Sequence, residues 1–422
     1  MSSNPLILPG RRLTAGRHAA AERPWVPALR YCLGVYAVVR VALFVLAATT
    51  WGLGAVPASG MPDGRVLTLH NGWQNAIAVW PRWDSNWYLY IAETGYSDHN
   101  NTAAFYPGYP MLIRLVSYLF FGHVLPAAFI VSNGALLAAL YILYRLTERE
   151  YDTAFARRAV LYLALFPTAV FLFSIYSESL FLLAAVGAFY LARTNRWGWA
   201  GLTGIIATLS RSMGAIIVLA LAVEAIHQAI EERREQATTP ARTGPAARTG
   251  LPARTALRLG ASALPLAGII GYLLFWQLRY HDWSRPLRLE KAYWGRQFGL
   301  PWVTLWHGLT DAWTHGQIGN NALWTFDFVL VALGLLLGIW VAVRTRPIYA
   351  VYTWGSILIF LSESIPWRPL TSDPRYLVTI FPLAWTLAWL GRRQHVHEAV
   401  VGLSAASMGI VAWLFLTNAG VY

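Results

Sequence analysis

The sequence predicts an all-α polytopic membrane protein, and three observations predict it. The 422 residues are 56% hydrophobic and only 13% charged, against about 25% charged in soluble domains. Apolar runs recur along the chain, each near the ~20 residues that a helix needs to cross a bilayer core. Such runs cannot be lipid-exposed strands of an open sheet, because inside the bilayer each backbone N–H and C=O must pair within its own segment. The ~10-residue alternation of an outer-membrane barrel is absent.

Residues 1–30 are polar and arginine-rich (Arg11, Arg12, Arg17, Arg23, Arg30) and read as a cytosolic tail. No cleavable leader is evident, since the first apolar run is long and lacks a small-residue cleavage site. The first span is expected over residues 38–56. Arg40, near its start, reads either as an intramembrane charge or as a snorkelling residue at the cytosolic boundary, and the boundary is the expectation. Residues 57–110 are polar and aromatic, with Arg65 and Arg82 as their only basic residues, and form a long first external loop. The short apolar stretch 111–121 is expected to lie in the interface.

Spans follow near residues 125–144, 159–173, 180–192 and 199–225, the last interrupted at Ser210-Arg211-Ser212. If that run is two short helices, the connection 145–158 is cytosolic, and Tyr176-Ser177-Glu178-Ser179 and Arg211 lie outside. If 111–121 crosses and the last run is one helix, the sides reverse. The cluster Arg145, Arg149, Arg157 and Arg158 favours the first arrangement. Residues 228–257, where Ala-Arg-Thr recurs at Ala241, Ala247 and Ala253, offer nothing to bury and are expected to be a disordered cytosolic linker. Further spans near 259–278, 323–343, 348–361, 376–390 and 399–416, with cytosolic turns at Arg344, Arg346, Arg392 and Arg393, leave 281–320 and 362–375 outside. The result is about eleven crossings in two membrane modules, 31–227 and 258–422, with a cytosolic N-terminus.

The net charge of +13 does not indicate nucleic-acid binding, because the arginines sit between apolar runs, where the positive-inside rule places them. The single cysteine, Cys32, excludes an internal disulfide. No dinucleotide fingerprint or P-loop is present. His281, Asp282, His307, Asp311 and His315 fit no metal-ligand spacing. Trp283, Trp294, Trp302, Trp306 and Trp313 either stack on sugar rings or sit at the bilayer interface, the interface being expected.

Suspicious polar residues gather in three external segments. Around Asp84, the residues Trp80, Trp83, Trp87, Tyr88 and Ile91 form an apolar stripe at helical spacing, as in an amphipathic helix lying flat on a membrane surface. A carboxylate among those rings is partly desolvated, which favours a raised pKa and suits a general base. The bland alternative is that Asp84 caps a helix beginning just after it. Glu178 either orients an acceptor, joins Asp84 on a divalent cation, or caps a helix through Ser177-Glu178-Ser179. Arg211, Arg375, Arg368 and, more weakly, Arg82 are candidates for holding a phosphate, which a planar guanidinium binds through two hydrogen bonds. Arg211 alternatively pairs with Glu178, and Arg375 alternatively anchors the end of a span.

Trp83-Asp84-Ser85, Tyr88, Ile91-Ala92, Gly95-Tyr96 and Ala104-Phe105-Tyr106-Pro107-Gly108-Tyr109-Pro110 together resemble the signature of the PIG-V-like mannosyltransferases, which include the second mannosyltransferase of GPI-anchor assembly and its bacterial relatives. The likeness continues at Phe166-Pro167, Tyr176–Leu180, Ala207–Gly214, Arg375-Tyr376-Leu377 and Phe381-Pro382. It leaves out the tail, the linker and residues 281–320. Two departures touch packing: Gly108, where relatives often carry Leu, and Ser210-Arg211-Ser212, which lacks a common proline.

The resemblance implies a GT-C-type helical bundle, a polyprenyl- or dolichyl-phosphate-mannose donor and an inverting reaction with Asp84 as the acidic residue of the first external loop. Trp83, Trp87, Tyr88, Tyr106 and Tyr109 would line the donor sugar. No cofactor is expected with certainty beyond that possible divalent cation. The expected partners are the polyprenyl-phosphate-mannose donor, membrane lipids and a glycan, glycolipid or protein acceptor. Of the 33 basic residues only Lys291 is a lysine, the usage of a GC-rich genome, and this points to a bacterial plasma membrane. The rival readings are a lipid or glycolipid transporter, which predicts internal pseudo-symmetry that the sequence lacks, and a non-catalytic subunit of an envelope assembly.

Overall fold

The computed structural model describes residues 25–67, 75–238, 245–315 and 322–419. The elements, in order, are α1 (Trp25–Gly52), a hairpin of β1 (Ser59–Gly60) and β2 (Val66–Leu67), α2 (Asn75–Ala78), α3 (Asp84–Thr94), α4 (Gly108–Ser117), α5 (Val124–Glu150), α6 (Thr153–Ala164), α7 (Val170–Phe173), α8 (Glu178–Arg193), α9 (Trp197–Ser210) and α10 (Ala215–Thr238). Then come α11 (Pro245–Ala263), α12 (Leu266–Tyr280), α13 (Arg285–Ala292), β3 (Gln297–Phe298), α14 (Pro301–His315), α15 (Ala322–Arg344), α16 (Pro347–Leu361), β4 (Glu363–Ser364), α17 (Asp373–Leu377), α18 (Pro382–Leu390) and α19 (Gln394–Leu416).

The protein is, among the described residues, a helical bundle with two small antiparallel strand pairs, Ser59↔Leu67 and Gln297↔Ser364 among their registers. Among the described residues, six helical stretches are long and apolar enough to cross a membrane: Trp25–Gly52, Val124–Glu150, Ser212–Ala237, Pro252–Tyr280, Ala322–Arg344 and Gln394–Leu416. Beyond these six, the expected crossings fall on shorter or broken helices such as α8, α9 and α16, with 16, 14 and 15 residues. The run 199–225 is two helices, α9 and α10, and residues 111–121 hold most of the ten-residue α4 and a 3-10 turn at Tyr118–Phe120. Small residues let the central helices approach closely, as membrane helices require. Ala184, Ala185, Gly187 and Ala188 of α8 are buried. A Cβ at Gly201 of α9 would stand 2.4 Å from the Ala261 carbonyl oxygen of α11.

The bundle has two unlike ends. At one, Arg193 reaches Glu150 (2.6 Å) and Glu224 (2.9 Å), Arg346 reaches Glu231 (2.7 Å), and Arg158 donates to the Ala388 carbonyl (3.0 Å). At the other, the helix breaks converge: the start of α3, the turn before α8, the α9–α10 break, the α13–β3 segment and the stretch around α17. Those are the segments expected on one common face.

Three expectations are corrected. Arg40 is not a boundary residue. Because α1 begins at Trp25 rather than near 38, Arg40 lies mid-helix and buried, donating to Asn133 Oδ1 and the Phe173 carbonyl. The rings of Phe44, Trp80, Phe129 and Phe173 stand 5.0–5.2 Å from its guanidinium carbon. The linker 228–257 is helical wherever it is described: α10 runs to Thr238 and α11 starts at Pro245. Alanine, leucine and arginine favour that state, and Arg258 docks α11 on Glu232 at 2.6 Å. Residues 239–244, including Ala241, and the tail to residue 24 lie outside the described residues. Finally, α3 does not lie flat with one apolar stripe. It begins only at Asp84, and Ser85, Asn86, Tyr88, Leu89, Ile91 and Ala92 are buried.

Candidate functional site

Asp84 is placed by the strained turn before it. Trp83 has φ 44°, a left-handed conformation costly for a side chain of this size. Its neighbours hold it there. The Arg82 guanidinium donates to the carbonyls of Pro81 (3.0 Å) and Leu416 (3.3 Å), and the Arg82 carbonyl accepts from the Tyr176 hydroxyl (3.0 Å). Ser59 Oγ donates to the Pro81 carbonyl (2.9 Å), and Asn86 donates to Ser59 Oγ (2.8 Å), binding the β1–β2 hairpin to α3. Asp84 is therefore the first helical residue of α3, where the positive end of the helix favours its charge.

The carboxylate faces a cation rather than rings alone. Arg375 Nη1 donates to Asp84 Oδ2 at 2.7 Å, and Arg375 Nε stands 3.1 Å from Glu178 Oε1. Arg211 Nη1 lies 2.6 Å from the same Glu178 oxygen and 3.3 Å from Ser177 Oγ. Two carboxylates and two guanidiniums thus alternate, Asp84–Arg375–Glu178–Arg211, with Glu178 fully buried at the start of α8. Each charge has an opposite neighbour, which is what burial demands. The expected Arg211–Glu178 pair exists, yet Arg211 also lines the cavity described next. The idea that Asp84 and Glu178 share a divalent ion does not fit, since a guanidinium occupies the bridge between them. Among the described residues no three His, Cys, Asp or Glu side chains group as a metal site.

A cavity of about 1510 Å³ opens in front of this chain of charges. Asp84, Trp83, Trp87, Tyr88, Tyr106, Arg211 and Arg375 all line it. Trp87 stacks on Phe105 with centroids 5.5 Å apart, and Tyr88 shares a 3.0 Å hydrogen bond with Ser177. The other sequence candidates stand elsewhere. Arg82 is the anchor already described. Arg368 neutralises Asp327 of α15 at 2.6 Å. Tyr109 is buried behind Tyr88, edge-on at 4.9 Å, and bonded to Ser132. All three are structural supports rather than cavity walls.

Glu290, Trp294, Arg296 and Glu363 also line the cavity; Trp294 was expected at the bilayer interface, and the other three were missed in the sequence. Arg296 Nη2 donates to the Tyr376 hydroxyl (2.6 Å) and Nη1 to Glu363 (3.0 Å). Burial among protein atoms pushes the Glu290 carboxyl up to about 7, against the pull of nearby Arg296. The signal available was Glu290 and Arg296 flanking Tyr293-Trp294, charges beside rings in a segment otherwise read as interfacial. Trp283, Trp302, Trp306 and Trp313, by contrast, are exposed.

Residues 57–240 match the family profile described as mannosyltransferase (PIG-V), so the resemblance read from the motifs holds over that stretch. No curated protein is similar enough in sequence to register as a relative. Solved structures that match this chain include the following two. ArnT from Cupriavidus metallidurans bound to undecaprenyl phosphate has a TM-score of 0.49 and 13% identity, covering 93% of this chain and 77% of that one. The apo oligosaccharyltransferase of Archaeoglobus fulgidus has a TM-score of 0.44 and 14% identity, covering 94% and 56%. The chain spans about half the length of the archaeal oligosaccharyltransferase.

Proposed function

We propose that this chain, whose residues 57–240 carry the mannosyltransferase (PIG-V) pattern, is a membrane glycosyltransferase that moves mannose from a polyprenyl-phosphate donor to a hydroxyl acceptor. The acceptor is a glycan, glycolipid or protein, met at the outer face of a plasma membrane. The observation that carries the reading is the contact of Asp84 with Arg375 on the wall of one large cavity. A base and a phosphate-binding cation, drawn from segments far apart in sequence, stand side by side there.

In this reading Asp84 takes the proton of the acceptor hydroxyl. The acceptor oxygen attacks the anomeric carbon, and the bond from that carbon to the phosphate oxygen breaks with inversion. The phosphate leaves with the electron pair, and its growing charge falls on Arg375 and Arg211, preorganised donors of the kind that stabilise transition states. Glu178 keeps both guanidiniums aimed at the cavity while staying buried behind them.

Replacing Asp84 by Asn removes the base and keeps the shape. Transfer from polyprenyl-phosphate-mannose in membranes should fall about 10²–10⁴-fold, the usual share of a general base, with protein level unchanged. Undiminished transfer by that variant would remove the catalytic role and return the subunit or transporter readings.

A further inference from the structure

Arg296 was not among the arginines singled out by sequence, yet its surroundings match those of the ones that were. It lines the same cavity as Arg211 and Arg375. The Tyr376 hydroxyl accepts from Arg296 Nη2 at 2.6 Å and from Arg375 Nη2 at 3.3 Å. Around the Tyr376 ring stand the guanidinium carbons of Arg211 (4.5 Å), Arg375 (5.2 Å) and Arg296 (5.8 Å). Three cations therefore surround one phenol at the cavity wall.

Their counter-charges differ. Arg211 and Arg375 are tied to Glu178, which is wholly buried and cannot be displaced without unpacking α8. Arg296 has partners that open to the cavity: Glu363 at 3.0 Å and Glu290 at 3.3 Å, with side chains 39% and 36% exposed. Its Nε is buried and makes no hydrogen bond. Such half-solvated partners bind weakly, whereas a phosphate offers two oxygens to the guanidinium fork. The segment that carries Arg296 is itself fixed. Gly295 turns at φ 68°, and the two residues after Arg296 pair with β4, Gln297 to Ser364 and Phe298 to Glu363.

We propose that Arg296 is a third donor-phosphate-binding cation, held ready by Glu290 and Glu363 and released from them when the lipid phosphate arrives. The proposal rests on the phosphosugar reading above and adds to it a residue outside the stretch that carries the family pattern. Arg211 and Arg375 grip the phosphate from the buried side, while Arg296 closes over it from the α13–β3 segment.

The test uses the full-length protein in detergent, with a polyprenyl phosphate and the matching polyprenol as probes. Wild type should bind the phosphate more tightly than the alcohol. Arg296→Gln should lose about ten- to a hundredfold of phosphate affinity, the range for hydrogen bonds to a charged group, with polyprenol binding unchanged. Arg296→Lys, which keeps the charge and loses the fork, should fall between and serves if the glutamine variant does not fold. Glu363→Gln should bind the phosphate more tightly, because a competing anion is gone; a merely structural role for the cluster would weaken binding instead. Equal discrimination by folded Arg296→Gln and wild type would overturn the role of Arg296 alone. A wild type blind to the phosphate would instead sink the lipid-phosphate reading itself.

Discussion

Asp84 sits at the first turn of α3 with Arg375 2.7 Å away, and that partner both aims the carboxylate and competes for it. A further carboxylate lines the same cavity. Glu290 keeps its side chain 36% open to the cavity, yet the protein atoms crowded around it raise its pKa from 4.5 to about 7, so the folded protein holds this proton more tightly than the unfolded chain. Its contribution to stability is complete below about pH 4.5 and is lost as pH rises through about 7. Glu290→Gln, neutral throughout, should show a flatter thermal-unfolding profile than wild type across that window, most visibly between pH 5 and 7.5. Identical profiles would mean that Glu290 titrates as a solvated carboxylate. Asp84, Arg211 and Arg375 were legible in sequence because each sits in a short local pattern of rings, serines or prolines. Glu290 and Arg296 were not. What brings Arg296 to the site is a partner 67 residues away, Glu363, and no local periodicity reports such a contact. For the same reason Arg368 was misread: Asp327, 41 residues distant, claims it.

Among the elements, the break between α9 and α10 places Arg211. Residues Ser212–Gly214 make a single 3-10 turn, and Arg211 before it is extended. Gly214 permits this, since a Cβ there would stand 2.6 Å from both the backbone N and Cα of Thr208. Backbone atoms cannot yield as a side-chain tip can. Gly214→Ala should therefore cost about 1–3 kcal/mol and shift Arg211, lowering transfer. Gly187→Ala, which meets only the Thr203 methyl at 3.2 Å, should cost less in the same thermal-unfolding and transfer assays. Gly108 has a similar reason. A side chain there would meet the Leu209 carbonyl oxygen at 2.8 Å, so the missing Cβ lets α4 approach α9 closely. The interruption at Ser210-Arg211-Ser212 was readable as a break in hydrophobicity. The closeness of the two backbones was not, because it depends on which helix packs alongside.

Across the whole molecule, the ends of the bundle separate the chemistry from the basic anchor. The proposed sidedness puts the cavity outside and the Arg193–Arg346 network inside. Cys32 is the only cysteine and is buried, so single cysteines can be read without background. In intact cells, His99→Cys should react with a membrane-impermeant thiol reagent, and Arg393→Cys should react only after permeabilisation. The opposite pattern would turn the protein over and place the cavity in the cytosol, away from the proposed acceptors.

By itself, the sequence determined the helical membrane class and the break at Ser210-Arg211-Ser212 between α9 and α10. Hydrophobic length and periodicity are local properties and suffice for the class, whereas helix limits stray from them, as at α1, which begins at Trp25 rather than near 38. Only the tertiary structure decided which charged groups neutralise one another and which remain turned to the cavity. In a low-dielectric interior a charge is governed by its nearest opposite charge, and here those partners arrive from distant segments of the chain.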